Sequence, residues 1–170
     1  MISQIKQQGF TIVELLIVIV VIAILAALSY VGYTSITARA NNSTAMASAK
    51  AVKDTIQTFQ GAHGSFPASR AVMLSGYPSG GSASDAIAKL PSDITFIATA
   101  DVGASTSPKE VGVQTYTVGG SVVGFIITYR NFSNAAGTNG TANAANSNIK
   151  TMTIGDTTTS GGTAAAVPAS

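Results

Sequence analysis

One carboxylate near the start of the chain has the setting to do chemistry. Glu14 lies inside an apolar segment, residues 10–28, whose only other polar side chain is that of Thr11. An acidic side chain inside a membrane-spanning segment costs about 2.5–3.5 kcal/mol at the bilayer centre, and less near an end of the segment. Because this cost must be offset, we expect Glu14 to bind a partner group.

Two partner groups fit the residues around Glu14. The first is a free backbone N–H at a helix start, because Thr11 and Glu14 have the spacing of a capping box with Thr11 as the N-cap. The second is a positive charge brought by another chain into a dry helical bundle. The spacing alone does not separate these interpretations, and a carboxylate has enough acceptor sites to satisfy both.

The composition offers little else for catalysis. Charged residues make up 9% of the 170-residue chain, against about 25% in typical soluble domains. The absence of Cys excludes disulfides and thiolate metal sites. The single histidine, His63, lies between Gly61 and Gly64, where a solvated loop residue is expected, and no nucleophile or base is recognisably arranged around it. We therefore predict a protein that is not an enzyme and that has no cofactor.

The charges also indicate which ligands the chain does not bind. Nine Lys and Arg residues against seven Asp and Glu residues give a net charge of +2, without a basic run. This pattern argues against specific nucleic-acid binding. A calcium site needs about six to eight oxygen ligands with clustered carboxylates. The acidic residues of the second half are scattered instead, so no metal site is predicted: Asp85, Asp93, Asp101, Glu110 and Asp156.

The apolar segment predicts a single membrane span. Residues 15–28 are apolar without interruption, and residues 10–28 reach the length of about 18 residues that a span requires. The polar residues 1–9 carry one cation, Lys6, which favours a cytoplasmic N-terminus. A cleaved secretory signal is the alternative, although Ala26, Ala27 and Ser29 form only a loose cleavage site.

Residues 9–18, with the sequence GFTIVELLIV, resemble the processing motif of type IV pilins and pseudopilins. The resemblance implies that a prepilin peptidase cuts between Gly9 and Phe10, and that the new N-terminal amine of Phe10 is methylated. It also implies that Glu14 makes the assembly contact, by pairing with the N-terminal amine of a neighbouring subunit. The implied partners are identical or related pilin subunits, the prepilin peptidase, a membrane platform with a separate ATPase motor, and the lipid bilayer before assembly.

The resemblance implies a structural function. The chain would enter the bacterial cytoplasmic membrane as a single-pass protein and then polymerise through its apolar helix into an extracellular type IV pilus. Such filaments serve adhesion, motility or DNA uptake. Two alternatives remain open at this point: a pseudopilin of a type II secretion system, and a membrane-anchored binding module such as a minor or tip pilin.

A long helix is predicted to carry the apolar segment. Apolar residues recur at steps of three and four, which places them on one helical face, and Gly61 and Gly64 follow as a stop signal. The predicted helix runs from about Phe10 to Gln60, and Lys50 and Asp54 have the spacing of an ion pair along it. The apolar face is formed by Ala45, Ala49, Val52, Ile56 and Phe59.

The remaining residues predict a small sheet. Residues 113–118 and 122–130 flank Gly119-Gly120 as a hairpin, with further strands at 94–98 and 150–154. A helical turn is expected at 84–89, and loops are expected for the low-complexity residues 134–148 and 157–170. The predicted fold is α+β, with a small antiparallel sheet packed on the second half of the long helix. Its parts are a leader (1–9), a transmembrane half-helix (10–38), an amphipathic half-helix (39–61) and a globular head (62–170).

Overall fold

A computed structural model of the protein describes residues 9–67, 69–76, 88–134 and 147–167. The chain divides into two compact units, Met1–Thr37 and Ala38–Ser170. The first helix, α1 (Ile12–His63), begins in the first unit and ends in the second. Among the described residues, α1 is the one helix that is long and apolar enough, by length and composition, to cross a membrane.

The first unit consists of the N-terminal part of α1 and the residues before it. The large apolar side chains of this part, from Ile12 to Ile36, are all exposed. Two of its hydroxyl groups bond within the helix: Ser29 donates to the carbonyl of Leu25 (2.8 Å) and Thr37 to that of Tyr33 (2.9 Å). These hydroxyls are therefore satisfied without water, as an apolar environment requires.

In the second unit, α1 buries the face that the periodicity predicts. Ala45, Ala49, Val52, Ile56 and Phe59 are all buried. The helix continues three residues past Gln60, because Gly61 remains helical. It ends where Gly64 adopts a φ of +74°, and the Gly64 N–H bonds the carbonyl of Gln60 at 2.8 Å. Glycine is favoured in this conformation after a helix because it has no Cβ.

A five-stranded sheet forms the rest of the second unit. The strands are β1 (Thr95–Ile97), β2 (Glu110–Val118), β3 (Ser121–Arg130), β4 (Ile149–Gly155) and β5 (Thr163–Ala166). They lie in the order β1-β2-β3-β4, and β5 also pairs with β2. The predicted hairpin is confirmed as β2 and β3, joined by Gly119 (φ +59°) and Gly120 (φ +83°). Two consecutive positive φ values match the tight turn that a two-residue hairpin favours.

The predicted α+β fold is confirmed, with one difference in the strand directions. Strand β1 runs parallel to β2, so the sheet is mixed, whereas the other pairs are antiparallel. A parallel pair needs a crossover connection, and a short 3-10 helix (Thr99–Ala104) lies in that connection. The helix α2 (Arg70–Ser75), which begins after the N-cap Ser69, was not predicted either.

The prediction of a loop for residues 157–170 is wrong over β5. Residues Thr163–Ala166 pair with β2, although all four side chains are exposed. Backbone hydrogen bonds stabilise this strand, so the hydrophobic pattern carries no signal for it. Among the described residues of this segment, only Val167, which follows β5, is buried. Residues 84–87 of the predicted helical turn at 84–89 lie outside the described residues. Most of the predicted loop at 134–148 also lies outside them.

The core lies between α1 and one face of the sheet. Phe125 and Ile127 of β3 and Val111 of β2 pack in one cluster with Val52 and Ile56 of α1. The 3-10 helix covers the other face, since Gly112 of β2 approaches it closely. A Cβ on Gly112 would lie 2.8 Å from the Val102 side chain and 2.9 Å from Cα of Thr99. The sheet therefore has one face against α1 and a second face that is covered in part.

Candidate processing and assembly site

The residues around the predicted cleavage site precede α1 in irregular backbone. Gly9 and Phe10 are both exposed, and 85% of the Phe10 surface is accessible. A Cβ added to Gly9 would meet no atom within 4 Å. The fold therefore does not require glycine here, and any requirement for it must come from a partner that binds this segment. Exposed segments without secondary structure are also the preferred sites of proteolysis.

Thr11 and Glu14 form the capping box predicted at the start of α1. The Glu14 N–H donates to Thr11 Oγ1 (3.2 Å), and the Thr11 N–H donates to Glu14 Oε2 (2.9 Å). The Thr11 hydroxyl also donates to Glu14 Oε2, at 2.7 Å. These reciprocal bonds satisfy two backbone donors that a helix start otherwise leaves unpaired.

The capping bonds leave half of the Glu14 carboxylate available. The two bonds that Thr11 donates both reach Oε2, and within the described residues Oε1 accepts no hydrogen bond. An ionised carboxylate accepts at both oxygens, so this geometry allows Glu14 to cap α1 and to bind a cation at once. The pairing of Glu14 with another subunit's amine stays a prediction, as do the roles of Gly9 and Phe10.

The single histidine has a local role at the other end of α1. His63 Nδ1 lies 2.7 Å from Ser65 Oγ, and the ring stacks on Phe59 with centroids 5.2 Å apart. It lies in the last helical turn of α1 and not in a loop, as its position between two glycines suggested, although it is exposed.

Two carboxylates of the second unit, those of Asp93 and Asp156, bind neighbouring groups in the chain. Asp93 pairs with Lys109 at 2.6 Å, and this hydrogen bond lowers the pKa of Asp93. Asp156 accepts bonds from the Thr159 hydroxyl and the Thr158 N–H, which lower its pKa in that order. In the described ranges, no three His, Asp or Glu side chains are grouped as a metal site would require.

Two polar contacts escape detection in the sequence because their partners are far apart along the chain. Asn42 of α1 accepts a bond from the Phe132 N–H (2.6 Å) and donates to Ser133 Oγ (2.7 Å). Arg130, which is only 9% exposed, donates to the carbonyl of Ser105. These bonds attach the end of β3 to α1 and to the end of the 3-10 helix. The one sequence feature that relates to the burial of Arg130 is strand alternation, which places its side chain on the opposite face of β3 from that of Tyr129.

Comparison with known proteins identifies a motif in the N-terminal segment. Residues 5–30 match the family model described as the prokaryotic N-terminal methylation motif. This match confirms the resemblance at residues 9–18, and together with the apolar part of α1 it fits a membrane-anchored protein. Searches among curated proteins and among solved structures found no match.

Proposed function

We propose that this chain, which carries the N-terminal methylation signal of type IV pilins and pseudopilins, is a structural subunit of a type IV pilus. Prepilin peptidase removes residues 1–9, and Phe10 becomes the methylated N-terminus. The observation that carries the proposal is the position of Gly9 and Phe10 directly before α1 and of Glu14 in its first turn, on a helix whose large apolar side chains are exposed from Ile12 to Ile36.

The exposed apolar side chains of α1 support a proposal in which the chain occupies two environments in succession. An apolar surface of this extent is stable in lipid or against other apolar helices, and not in water. The chain is therefore proposed to reside in the cytoplasmic membrane as a single-pass protein and then to leave it by packing against the α1 helices of sister subunits. The proposed function is non-covalent polymerisation, which requires no catalytic residue in this chain.

The geometry of Glu14 supports a charge pair in the assembled stem. A lone carboxylate buried in a helical bundle carries a desolvation penalty, which an amine with good geometry offsets. Cleavage after Gly9 creates such an amine on every subunit. The cap holds the carboxylate through Oε2, so Oε1 can accept from the amine of a neighbouring chain without loss of the helix start.

The experiment is N-terminal sequencing and mass spectrometry of the chain from separated surface filaments and membranes. We expect abundant sheared filaments whose main component begins at methylated Phe10. A processed chain that stays in the envelope without surface filaments would favour the second candidate, a type II secretion pseudopilin, since the same motif supports both. Soluble protein beginning near Ser29 would overturn both candidates in favour of a secreted protein.

A further inference from the structure

We propose that the second unit carries two surfaces of opposite charge, on opposite sides, and that the basic surface of one copy binds the acidic surface of the next. The proposal rests on the pilus function proposed above, and it identifies a contact between subunits that lies outside the apolar stem. The partner is a second copy of this chain.

The basic surface lies on α1 and on the neighbouring strand β4. We define it as Arg39, Met46, Lys50, Lys53 and Lys150. The first four recur at steps of seven, four and three along α1, outside the buried stripe, and all but the half-buried Lys53 are exposed. Met46 is 52% exposed, and it lines a hollow of about 190 Å³ together with Lys150 of β4. An apolar side chain among four cations gives this surface both contact area and charge.

The cations of the basic surface have no carboxylate partner in the described part of the chain. The one ion pair found there joins Lys109 to Asp93, and both of these residues lie elsewhere. The predicted pair between Lys50 and Asp54 is therefore not formed. Asp54 is exposed near Lys50 and Lys53 and offsets part of their charge. The remaining excess of positive charge attracts an acidic surface on another molecule and speeds encounter.

The acidic surface lies on the opposite side of the sheet. Asp101 of the 3-10 helix and Glu110 of β2 line a hollow of about 370 Å³ together with Ile97, Ala104 and Thr106. Val111 packs in the core beneath α1, so the preceding Glu110 points to the other face, where the 3-10 helix covers Gly112.

The carboxylates of this surface remain available to a partner. Asp101 is exposed. Glu110 Oε2 accepts the Ser105 hydroxyl at 2.5 Å, whereas Oε1 has no bond within the described residues. The nearby cation, Arg130, is directed inward to the Ser105 carbonyl and is only 9% exposed. Its charge weakens the field of the acidic surface but does not occupy the hollow.

The placement of the two surfaces determines the kind of assembly. A two-fold dimer brings the same surface of each copy together, and here that would oppose cation to cation. A contact between different surfaces on opposite sides leaves one free surface at each end, so copies add head to tail, into a filament wherever the rotation between them does not close a ring. The charge arrangement therefore suits an open polymer and disfavours a symmetric dimer.

The first test is charge reversal in the full-length chain. We expect Lys50→Glu and Asp101→Lys each to lower the yield of sheared filaments about tenfold, because like charges then face each other. The double variant should recover to within about twofold of the wild-type yield. Lys89→Glu, an exposed reversal outside both surfaces, is the matched control and should leave the yield unchanged. Unchanged single variants, or a double variant no better than the weaker single, would overturn the contact.

Disulfide trapping provides a second test, because the chain has no Cys of its own. Met46→Cys and Ala104→Cys together should give an oxidant-dependent ladder of multimers, and neither single variant should cross-link. Dimers from Met46→Cys alone would show a symmetric contact and contradict the proposal. Anionic vesicles that protect Met46→Cys from thiol reagents, with no ladder from the double variant, would assign the basic surface to lipid and also overturn it.

The two proposals fail separately. A wild-type chain that begins at Phe10 but forms no surface filaments would count against the pilus, and the ladder can still form between copies in the membrane. Normal filament yields from all charge-reversal variants, together with no disulfide ladder from the double Cys variant, would contradict the charge contact alone. Processing at Gly9 and protease resistance of the second unit show that each variant is folded.

Discussion

Glu14 accepts two hydrogen bonds from Thr11 on one oxygen, the backbone N–H at 2.9 Å and the hydroxyl at 2.7 Å. The two residues are therefore coupled as a helix cap, whatever else Glu14 binds. This coupling means that a simple deletion of the Glu14 side chain changes the helix start and the charge together. Substitutions that separate the two effects are more informative.

The first prediction separates the charge of Glu14 from its capping bonds. Glu14→Gln keeps an oxygen that accepts from the Thr11 N–H but has no charge, so membrane insertion should be normal and filaments should be lost. Breaking a buried ion pair costs about 3–5 kcal/mol, which is enough to reduce the yield below detection. The measurement compares the chain in membranes with the chain in sheared filaments, by immunoblot.

Thr11→Ala is the matched control for Glu14→Gln. It removes the N-cap side chain, which contributes about 1 kcal/mol to a helix start, and it keeps the carboxylate. We expect filaments at close to the wild-type yield. Filaments from Glu14→Gln but none from Thr11→Ala would show that capping is the essential role of this pair and that the proposed charge pair is wrong.

The second prediction concerns Gly9. Glycine has no contact here that a Cβ would disturb, so Gly9→Val should leave the fold and membrane insertion unchanged. We nevertheless expect the uncleaved precursor to accumulate, because the peptidase must accommodate the new side chain. Intact-mass measurement of the membrane fraction gives the ratio of precursor to mature chain. Gln8→Val is the control, and processing of both variants at the wild-type rate would contradict the assignment of this bond.

The sequence predicted those features that depend on local pattern. The stripe of Val52 and Ile56 follows from helical periodicity, and the hairpin turn follows from Gly119-Gly120, whose positive φ values only glycine adopts at no cost. The capping box likewise depends on residues three positions apart. Each of these signals lies within a few neighbouring residues.

The features that were missed depend on contacts distant along the chain. Strand β5 buries none of its four side chains, so its pairing with β2 leaves no hydrophobic pattern. The parallel direction of β1 depends on the crossover before β2, and burial of Arg130 depends on the position of Ser105. At the candidate site, the motif predicted the residues, whereas only the structure could show which oxygen of Glu14 is occupied.

The third prediction concerns the close approach at Gly112. Gly112→Ala places a Cβ within 3 Å of both Val102 and Thr99, so the 3-10 helix must shift away from the sheet. Overpacking of this kind costs about 1–3 kcal/mol. Gly61→Ala is the matched control, since a Cβ there meets no atom within 4 Å and the helix should gain up to about 1 kcal/mol. Urea unfolding of the detergent-solubilised chain measures both changes, and equal stability of the two variants would refute the packing argument.

The fourth prediction concerns the pH dependence of the turn between β4 and β5. The Thr159 hydroxyl and the Thr158 N–H hold the pKa of Asp156 below its ordinary value. The folded state therefore binds this proton more weakly than the unfolded state. The carboxylate stabilises the fold above the ordinary Asp pKa of about 3.9, and this contribution is lost as the pH falls through the lowered pKa. Asp156→Asn should accordingly show a flatter decline in stability below about pH 4.

Asp93 provides the contrast for this prediction, because a cation is its partner. Its hydrogen bond and charge attraction to Lys109 also lower its pKa, and both groups are about half exposed. Salt screens the attraction between exposed charges, and the screening length falls to about 3 Å at 1 M. The pKa of Asp93 should therefore rise toward its ordinary value as salt is added. The pKa of Asp156, which depends on uncharged donors, should move less. Carboxyl carbon NMR titration at low and high salt measures both, and an equal response of the two groups would contradict the assigned causes.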